Sequence, residues 1–248
     1  MDDAPSPLPE ALRLAWWGTA WLRGHVVADE LIDAVVDHDA THLLAVGDEV
    51  SPLAVGLGAL RSRGADAVGA AVPAEGDPVG LGGPRAFNDA ALEVGQAVVV
   101  VDAAGFPVCG LVPERVGAAV TWRAEPAERR QLPDVGEADR GLRTALLEAA
   151  ETLARLEVAR WRPEVADTLM NLRHRPAPEA PAGVPARCVE LAARGLQALE
   201  IVDLALEDDG GAITALEASS RREALVPLGR AGRRALVAAG SPEVWPPA

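Results

Sequence analysis

The chain has 248 residues, of which 37 are acidic and 23 are basic, so its formal net charge is −14. Every basic residue is an arginine, because the sequence contains no lysine, and tyrosine is absent as well. The absence of lysine excludes enzymes that need a lysine Schiff base, a P-loop lysine or the strand lysine of protein kinases. The acidic balance argues against nucleic acid as a partner, since phosphate binding requires a basic patch.

The composition is that of a globular protein, with 49% hydrophobic and 24% charged residues. Cys109 and Cys188 are isolated in the sequence, which favours a reducing compartment and predicts two buried thiols in a cytoplasmic protein. A nucleophilic role for either thiol is the alternative. The most apolar window, residues 94–113, is interrupted by Asp102 and Pro107, so we expect no membrane contact. We recognise no cofactor motif and predict no cofactor.

Two helices open the predicted fold. The first covers residues 9–23, where Pro9 suits a first helical turn and Gly24 ends the pattern. The second covers residues 28–37 and places apolar residues on one side. Acidic residues recur at every fourth position of this second helix: Asp29, Asp33 and Asp37. We interpret this stripe as a solvated face, with a pair of carboxylates that binds a divalent ion or acts as acid and base as the alternative.

Three tryptophans are concentrated in the first helix, at positions 16, 17 and 21. Trp16, Trp17 and Trp21 cannot all face one way on a helix, so part of the indole surface is either covered by the protein or used as a contact patch. The first interpretation is favoured because a core with few other aromatic residues needs these side chains. The alternative is an interaction site in a homodimer interface.

The residues up to 125 predict an α/β domain. Residues 41–46, 67–72 and 96–102 are apolar runs typical of strands. A helix begun by Pro52 and a helix over residues 84–94 separate these strands, which predicts βαβ units with parallel pairing. Two further strands are expected over the following segments: 108–112 and 118–123. The prediction for residues 1–125 is therefore a small mixed sheet with flanking helices.

The residues from 137 onward predict a helical domain, 137–248, after a proline-containing boundary over residues 124–136. Along its first helix, apolar residues recur at alternating spacings of four and three residues, which predicts one narrow apolar seam: Leu142, Leu146, Ala149, Leu153 and Leu156. A helix is also expected around Val165, and residues 175–185 contain four prolines and predict a stiff linker. The last helix, residues 213–239, is expected to break at Pro227. The overall prediction is an α/β (or α+β) fold with a C-terminal helical bundle.

A glycine-rich loop over residues 76–85 is the first candidate ligand site. Glycines permit close approach of a ligand, and the helix start that follows offers free N–H groups to an anion. Arg85 could add a bidentate contact with phosphate or carboxylate. The candidate residues for a small anionic ligand are Gly80, Gly82, Gly83, Arg85 and Asn88. The alternative is an ordered turn, since the spacing matches neither nucleotide motif.

A cluster at the end of the second helix is a candidate metal site, made of His38, Asp39 and His42. These residue types are metal ligands. The alternative is a helix C-terminus that passes into a strand, since no third ligand stands at a diagnostic spacing.

Two functions of different class follow from this sequence. The first is a non-enzymatic protein-interaction or regulatory module that forms a homo-oligomer or binds another protein. The second is an enzyme or binding protein for a small anionic ligand, centred on Arg85 and its loop. The lack of a strong catalytic motif favours the first.

Overall fold

The computed structural model describes residues 6–155, 177–207 and 215–246. It contains a six-stranded mixed sheet with helices packed on it, as the sequence predicts. The helices are α1 Glu10–Leu22, α2 Ala28–Val36, α3 Leu53–Ser62, α4 Arg85–Val94, α5 Val135–Arg155, α6 Ala186–Glu207 and α7 Ala215–Ala239. The strands are β1 Thr41–Val46, β2 Glu49–Pro52, β3 Ala65–Ala71, β4 Ala97–Asp102, β5 Pro107–Val116 and β6 Ala119–Glu125. A short 3-10 helix covers Pro242–Val244.

The strand order is β2-β1-β6-β5-β4-β3, and only the pairing of β1 with β6 is parallel. The prediction of parallel βαβ units is therefore wrong, because β3 and β4 pair in antiparallel fashion. The loop after β3 and helix α4 connect the end of β3 to the start of β4, and these two strand ends lie side by side, Ala71 opposite Ala97. Gly95, at the end of α4, consequently lies close to Pro73, which follows β3.

The start of α3 also differs from the prediction. Pro52 does not begin the helix but ends β2, a short edge strand that pairs with β1, and α3 starts at Leu53. Gly47, with a φ of 61°, makes the tight turn between the two strands. A four-residue strand that ends in proline is typical of a sheet edge, where proline removes no ladder hydrogen bond.

One face of the sheet carries most of the core. Helices α1 and α3 pack on it, and the end of α7 reaches the same layer. The indole Nε1–H of Trp16 donates to the Ala239 carbonyl at 3.0 Å, and the amide of Ala70 in edge strand β3 donates to the Gly240 carbonyl at 2.8 Å. One hydrophobic cluster therefore joins residues from both predicted domains, among them Leu12 and Leu236.

The C-terminal helices pack as the sequence predicts, with one correction. Helix α7 continues through Pro227, so the predicted break is wrong. Buried Leu225 and Leu228 hold this part of α7 in the core, while Pro227 itself is exposed. Helices α6 and α7 approach closely at Gly195 and Gly232, where an added Cβ on either residue would lie within 3.2 Å of the facing carbonyl.

Parts of the predicted helical domain fall outside the described residues. These parts include the helix around Val165, residues 175–176 of the linker and the end of the apolar seam at Leu156. In the described part of the linker, Pro178 is buried and Gly183 lies against His25. No helix in the described ranges is long and apolar enough to cross a membrane.

Candidate interaction surface

The second face of the sheet is covered over only part of its width. Helix α4 packs over β3, β4 and β5 through Phe87 and Ala91, which are buried. On the same side, Val50 of β2 and Val116 of β5 are 56% and 68% exposed. We call the uncovered part the open face, and it is formed by Leu43, Ala45, Val50, Pro52, Glu114, Val116, Thr121 and Arg123.

The strand register arranges the open face in rows. Ala45 pairs with Val50 on one side and with Arg123 on the other. Leu43 likewise pairs with Pro52 and with Thr121, which in turn faces Glu114. Because opposite residues point to the same side of a sheet, each row runs across four strands. Leu43, Ala45 and Thr121 are half-buried, which leaves a shallow apolar strip.

Two charges of opposite sign lie on this strip. Arg123 Nη1 contacts Glu114 Oε2 at 3.2 Å, and both side chains are more than half exposed. An exposed pair of this kind contributes little to stability. Its value here is that the open face carries both signs of charge, so it can match a copy of itself.

A groove of about 560 Å³ extends the open face toward α4. Its apolar lining comes from Ala90 and Val94 on α4 and from Val112 and Pro113 on β5. Val94 is 45% exposed. The groove forms beside the first residue of β4, beyond which the β5–β6 hairpin continues, so the apolar strip is continuous with the end of α4.

A buried polar network supports the hairpin from the core side. The Trp122 indole Nε1–H donates to His42 Nδ1 at 3.1 Å, and His42 Nε2 donates to Asp39 Oδ2 at 2.9 Å. Arg115, on β5, pairs with Asp39 and with Glu10 at the start of α1. The network joins α1, β1, β5 and β6, and it therefore fixes the strands that carry the open face.

Burial and hydrogen bonding define the state of His42. The residue is 2% exposed, and burial lowers the pKa of its ring below the ordinary 6.5 against the opposing effect of Asp39. With Nδ1 accepting from Trp122, the proton of the neutral ring is on Nε2. Both ring nitrogens are thus engaged within the protein.

The predicted metal residues occupy different environments. His38 is half-exposed and lies 4.0 Å from Asp37, whereas His42 is buried against Asp39 and Trp122. A metal on His42 would have to replace one of its two hydrogen bonds. Across residues 6–155, 177–207 and 215–246, no three His, Cys, Asp or Glu side chains are grouped to hold a metal ion.

Two glycines of the 76–85 loop, Gly80 and Gly82, lie close to the protein's own backbone. A Cβ at Gly80 would lie 2.7 Å from Ala71 Cα, and one at Gly82 would lie 2.6 Å from the Arg129 carbonyl oxygen. The amide of Gly83 donates to Asn88 Oδ1 at 3.1 Å. These close approaches explain Gly80 and Gly82 as packing positions between β3 and the segment after β6.

Arg85 lies apart from those contacts. Its side chain is 93% exposed and pairs with Asp89, four residues along α4, at 3.2 Å. The arginine buried at this loop is Arg130, which is 3% exposed and donates to the Ala70 and Gly80 carbonyls. The structure therefore brings the loop glycines together with Arg130, and Arg85 points to solvent.

The three tryptophans of α1 separate by burial. Trp16 is fully buried, whereas Trp17 and Trp21 are half-buried against the core. The Arg61 guanidinium lies 5.7 Å from the Trp21 ring centroid. Packing within the protein thus covers all of the Trp16 indole and much of the Trp21 indole. Trp17 also lines a cleft between α1 and α2.

The two thiols are buried in the core. Burial raises the pKa of Cys109 to about 12 and that of Cys188 to about 11. Both are therefore protonated at neutral pH, which does not suit a nucleophile.

Two protein-family models match this chain. The Rv1486c-like protein, N-terminal domain, matches residues 11–137, and the Rv1486c-like protein, C-terminal domain, matches residues 136–237. The chain belongs to the Rv1486c-like family. The two family models meet in the first turn of α5, and the open face lies within the N-terminal one. No curated protein and no solved structure matched the chain.

The open face is not among the sites predicted from the sequence. The signal lies in β6, where the sequence Ala-Val-Thr-Trp-Arg-Ala-Glu alternates buried and polar residues and predicts one face toward solvent. The neighbouring strand β1 shows no such alternation, because both of its faces carry apolar residues.

Proposed function

We propose that this chain is a non-enzymatic protein-interaction module that forms a homodimer through its open face. The observation that carries the proposal is a sheet with one face half covered. Sheets normally bury each apolar face against another layer, and exposed apolar patches on soluble proteins mark interaction sites. A second sheet packed at about 10 Å would bury Leu43 and Ala45 and supply the missing layer.

The charges on the open face favour a second copy as the partner. A two-fold axis near the centre of the face would bring Arg123 of one protomer toward Glu114 of the other, because a two-fold interface is self-complementary. Both groups are exposed and would gain a second ion pair on association. Such pairs mainly set the register of the two sheets and the partner choice.

The size of the surface predicts a reversible dimer. Four strands at a spacing of about 4.8 Å and roughly six residues at about 3.3 Å each cover roughly 400 Å² in plan. This area is below the approximately 800 Å² per partner of a standard interface, even with the groove added. The net charge of −14 also opposes self-association at low ionic strength, so added salt should strengthen the dimer.

Sedimentation velocity over a wide concentration range, at low and moderate salt, tests this function. We expect a monomer–dimer equilibrium that shifts toward dimer at moderate salt. Val50→Glu should weaken the dimer at least tenfold, because it places a carboxylate in the interface. Val226→Glu, on the partly exposed side of α7, makes the same charge change elsewhere and should leave the equilibrium unchanged.

A charge exchange sharpens the test of the two-fold arrangement. Arg123→Glu alone should weaken the dimer, and Arg123→Glu combined with Glu114→Arg should restore it. A strictly monomeric wild type at every concentration would end the homodimer proposal. A dimer that Val50→Glu leaves intact would show that another surface is used.

The anionic-ligand alternative has less support in the structure. The loop glycines contact Ala71 and Arg129, and Arg85 is exposed. No observation in this region favours it as a second function.

A further inference from the structure

A cleft of about 410 Å³ lies between α1 and α2, away from the open face. Helix α1 contributes Arg13 and Trp17, which are four residues apart and share one helical face. Helix α2 and its C-cap contribute Glu30, Asp33 and Asp37, whose spacings of three and four again define one face. Glu179, which is exposed, also lines the cleft. This volume is within the range of small-molecule sites.

The cleft has an excess of negative charge. Four carboxylates and a single guanidinium line it, which leaves a formal charge of −3. Arg13 forms an ion pair with Asp37, and its Nη2 lies 3.8 Å from Asp39 Oδ2. Within the described ranges, the carboxylate of Asp33 has no hydrogen-bond or ion-pair partner, while its backbone carbonyl accepts from the Asp37 amide. Glu30, Asp33 and Glu179 are exposed, so water screens part of the repulsion among these carboxylates, and a bound cation would relieve the remainder.

The indole of Trp17 indicates which kind of cation fits. It is half-buried and lines the same cleft as the carboxylates. An aromatic face beside carboxylates attracts organic ammonium groups through cation–π and Coulomb interactions. A metal ion would need converging ligands, and no group of three suitable side chains occurs in the part of the chain that the structure describes.

Arg13 provides a second, independent feature of the cleft. Its side chain is 7% exposed, and its Nε–H is buried without a hydrogen-bond partner in the described structure. A buried donor without an acceptor is unfavourable. A ligand oxygen beside the cationic group, admitted by a small shift of the guanidinium, would supply that acceptor.

We propose that this cleft binds a small organic cation that carries a neighbouring oxygen, as amino alcohols do. The ammonium group would lie on Trp17 near Asp33 and Glu30, and the oxygen would face Arg13. This site is separate from the open face, so it stands whether or not the chain dimerises.

Choline is a suitable probe, and 3,3-dimethylbutan-1-ol is its neutral isostere. The full chain would be titrated with each by calorimetry at constant ionic strength, with tryptophan emission as a second readout. We expect saturable binding of choline in the millimolar range and binding at least fivefold weaker for the neutral isostere. Tetramethylammonium, which lacks the oxygen, should bind more weakly than choline.

Variants locate the site. Trp17→Leu and Asp33→Asn should each weaken choline binding at least fivefold, and Trp17→Phe should weaken it less because a ring remains. Asp29→Asn is the matched control, since Asp29 is exposed on the same helix and outside the cleft. Circular dichroism would verify that each variant is folded.

Three results would overturn the proposal. The first is no saturable binding of choline by the folded wild type. The second is equal binding of choline and its neutral isostere. The third is equal loss of affinity in Asp29→Asn and Asp33→Asn, because net charge alone would then explain the binding.

Discussion

The indole Nε1–H of Trp122 donates a hydrogen bond to Nδ1 of His42 across β1 and β6, the one parallel pair in the sheet. Both residues are buried, and the bond requires an unprotonated Nδ1. Protonation of His42 would therefore break it and would also place a charge in the core. Asp39, which accepts from His42 Nε2, offsets only part of that cost.

This relationship predicts a loss of stability in mild acid. Because the folded-state pKa of His42 lies below 6.5, the unfolded chain binds the proton first as the pH falls. The stability of the neutral ring is thus fully present above about pH 6.5 and decreases below it, by at most about 1.4 kcal/mol per pH unit. Urea midpoints between pH 7.5 and 5.5 would measure the slope.

His42→Gln removes the titrating group and should flatten that slope, although it lowers stability throughout. His38→Gln, at an exposed neighbour, should retain the wild-type slope. The same pH dependence in wild type and His42→Gln would refute the assignment.

Two glycines of α3 should respond to alanine in opposite directions. A Cβ at Gly56 would lie 2.7 Å from Leu44 Cβ, whereas the nearest atom to a Cβ at Gly58 is 3.9 Å away. Gly58→Ala should stabilise the protein by about 0.5–1 kcal/mol, because alanine loses less backbone entropy in a helix. Gly56→Ala should destabilise it by about 1–3 kcal/mol through overpacking. Thermal and urea unfolding would give both signs, and a stabilising Gly56→Ala would contradict the close packing of α3 on β1.

Arg130 should contribute far more to stability than Arg85. Its guanidinium donates to the Ala70 and Gly80 carbonyls and to Glu243 at 2.8 Å, with only 3% of the side chain exposed. Arg130→Ala would remove these hydrogen bonds, leaving the Ala70 carbonyl with the longer bond from Ser241 Oγ at 3.4 Å, and should cost about 3 kcal/mol. Arg85→Ala should change stability by less than about 0.5 kcal/mol, as is usual for an exposed residue. Equal effects in urea unfolding would mean that Arg130 is not buried in solution.

The thiols should resist modification in the folded protein. Burial keeps Cys109 and Cys188 protonated, with pKa values of about 12 and about 11, and also blocks access. We expect very slow reaction with a disulfide reagent at pH 8 and complete reaction of both thiols in urea. Rapid reaction of one native thiol would identify a reactive cysteine and would reopen a nucleophilic role.

Much of the fold follows from local patterns in the sequence. The apolar run at residues 97–102 gives β4, and Gly95 ends α4 with a left-handed C-cap. These features depend on neighbours a few residues apart, which is the range that periodicity and capping report. The same reasoning correctly expected Trp16 in the core.

The open face could not be found in this way, because it depends on which strands become neighbours. β1 lies beside β6 although β2, α3, β3, α4, β4 and β5 separate the two strands by roughly 80 residues of chain. Only that pairing aligns Ala45 with Arg123, and only the position of α4 decides which half of the face stays uncovered.

The absence of lysine excluded lysine-dependent chemistries from the sequence alone, since composition does not depend on the fold, and the charge of −14 argues against nucleic acid as a partner. The sequence also suggested Arg85 as an anion-binding residue, whereas the tertiary structure leaves Arg85 in solvent and buries Arg130 instead. The physical reason is burial: the sequence shows that a side chain carries a charge, but only packing determines whether that charge is hydrated or meets buried carbonyls.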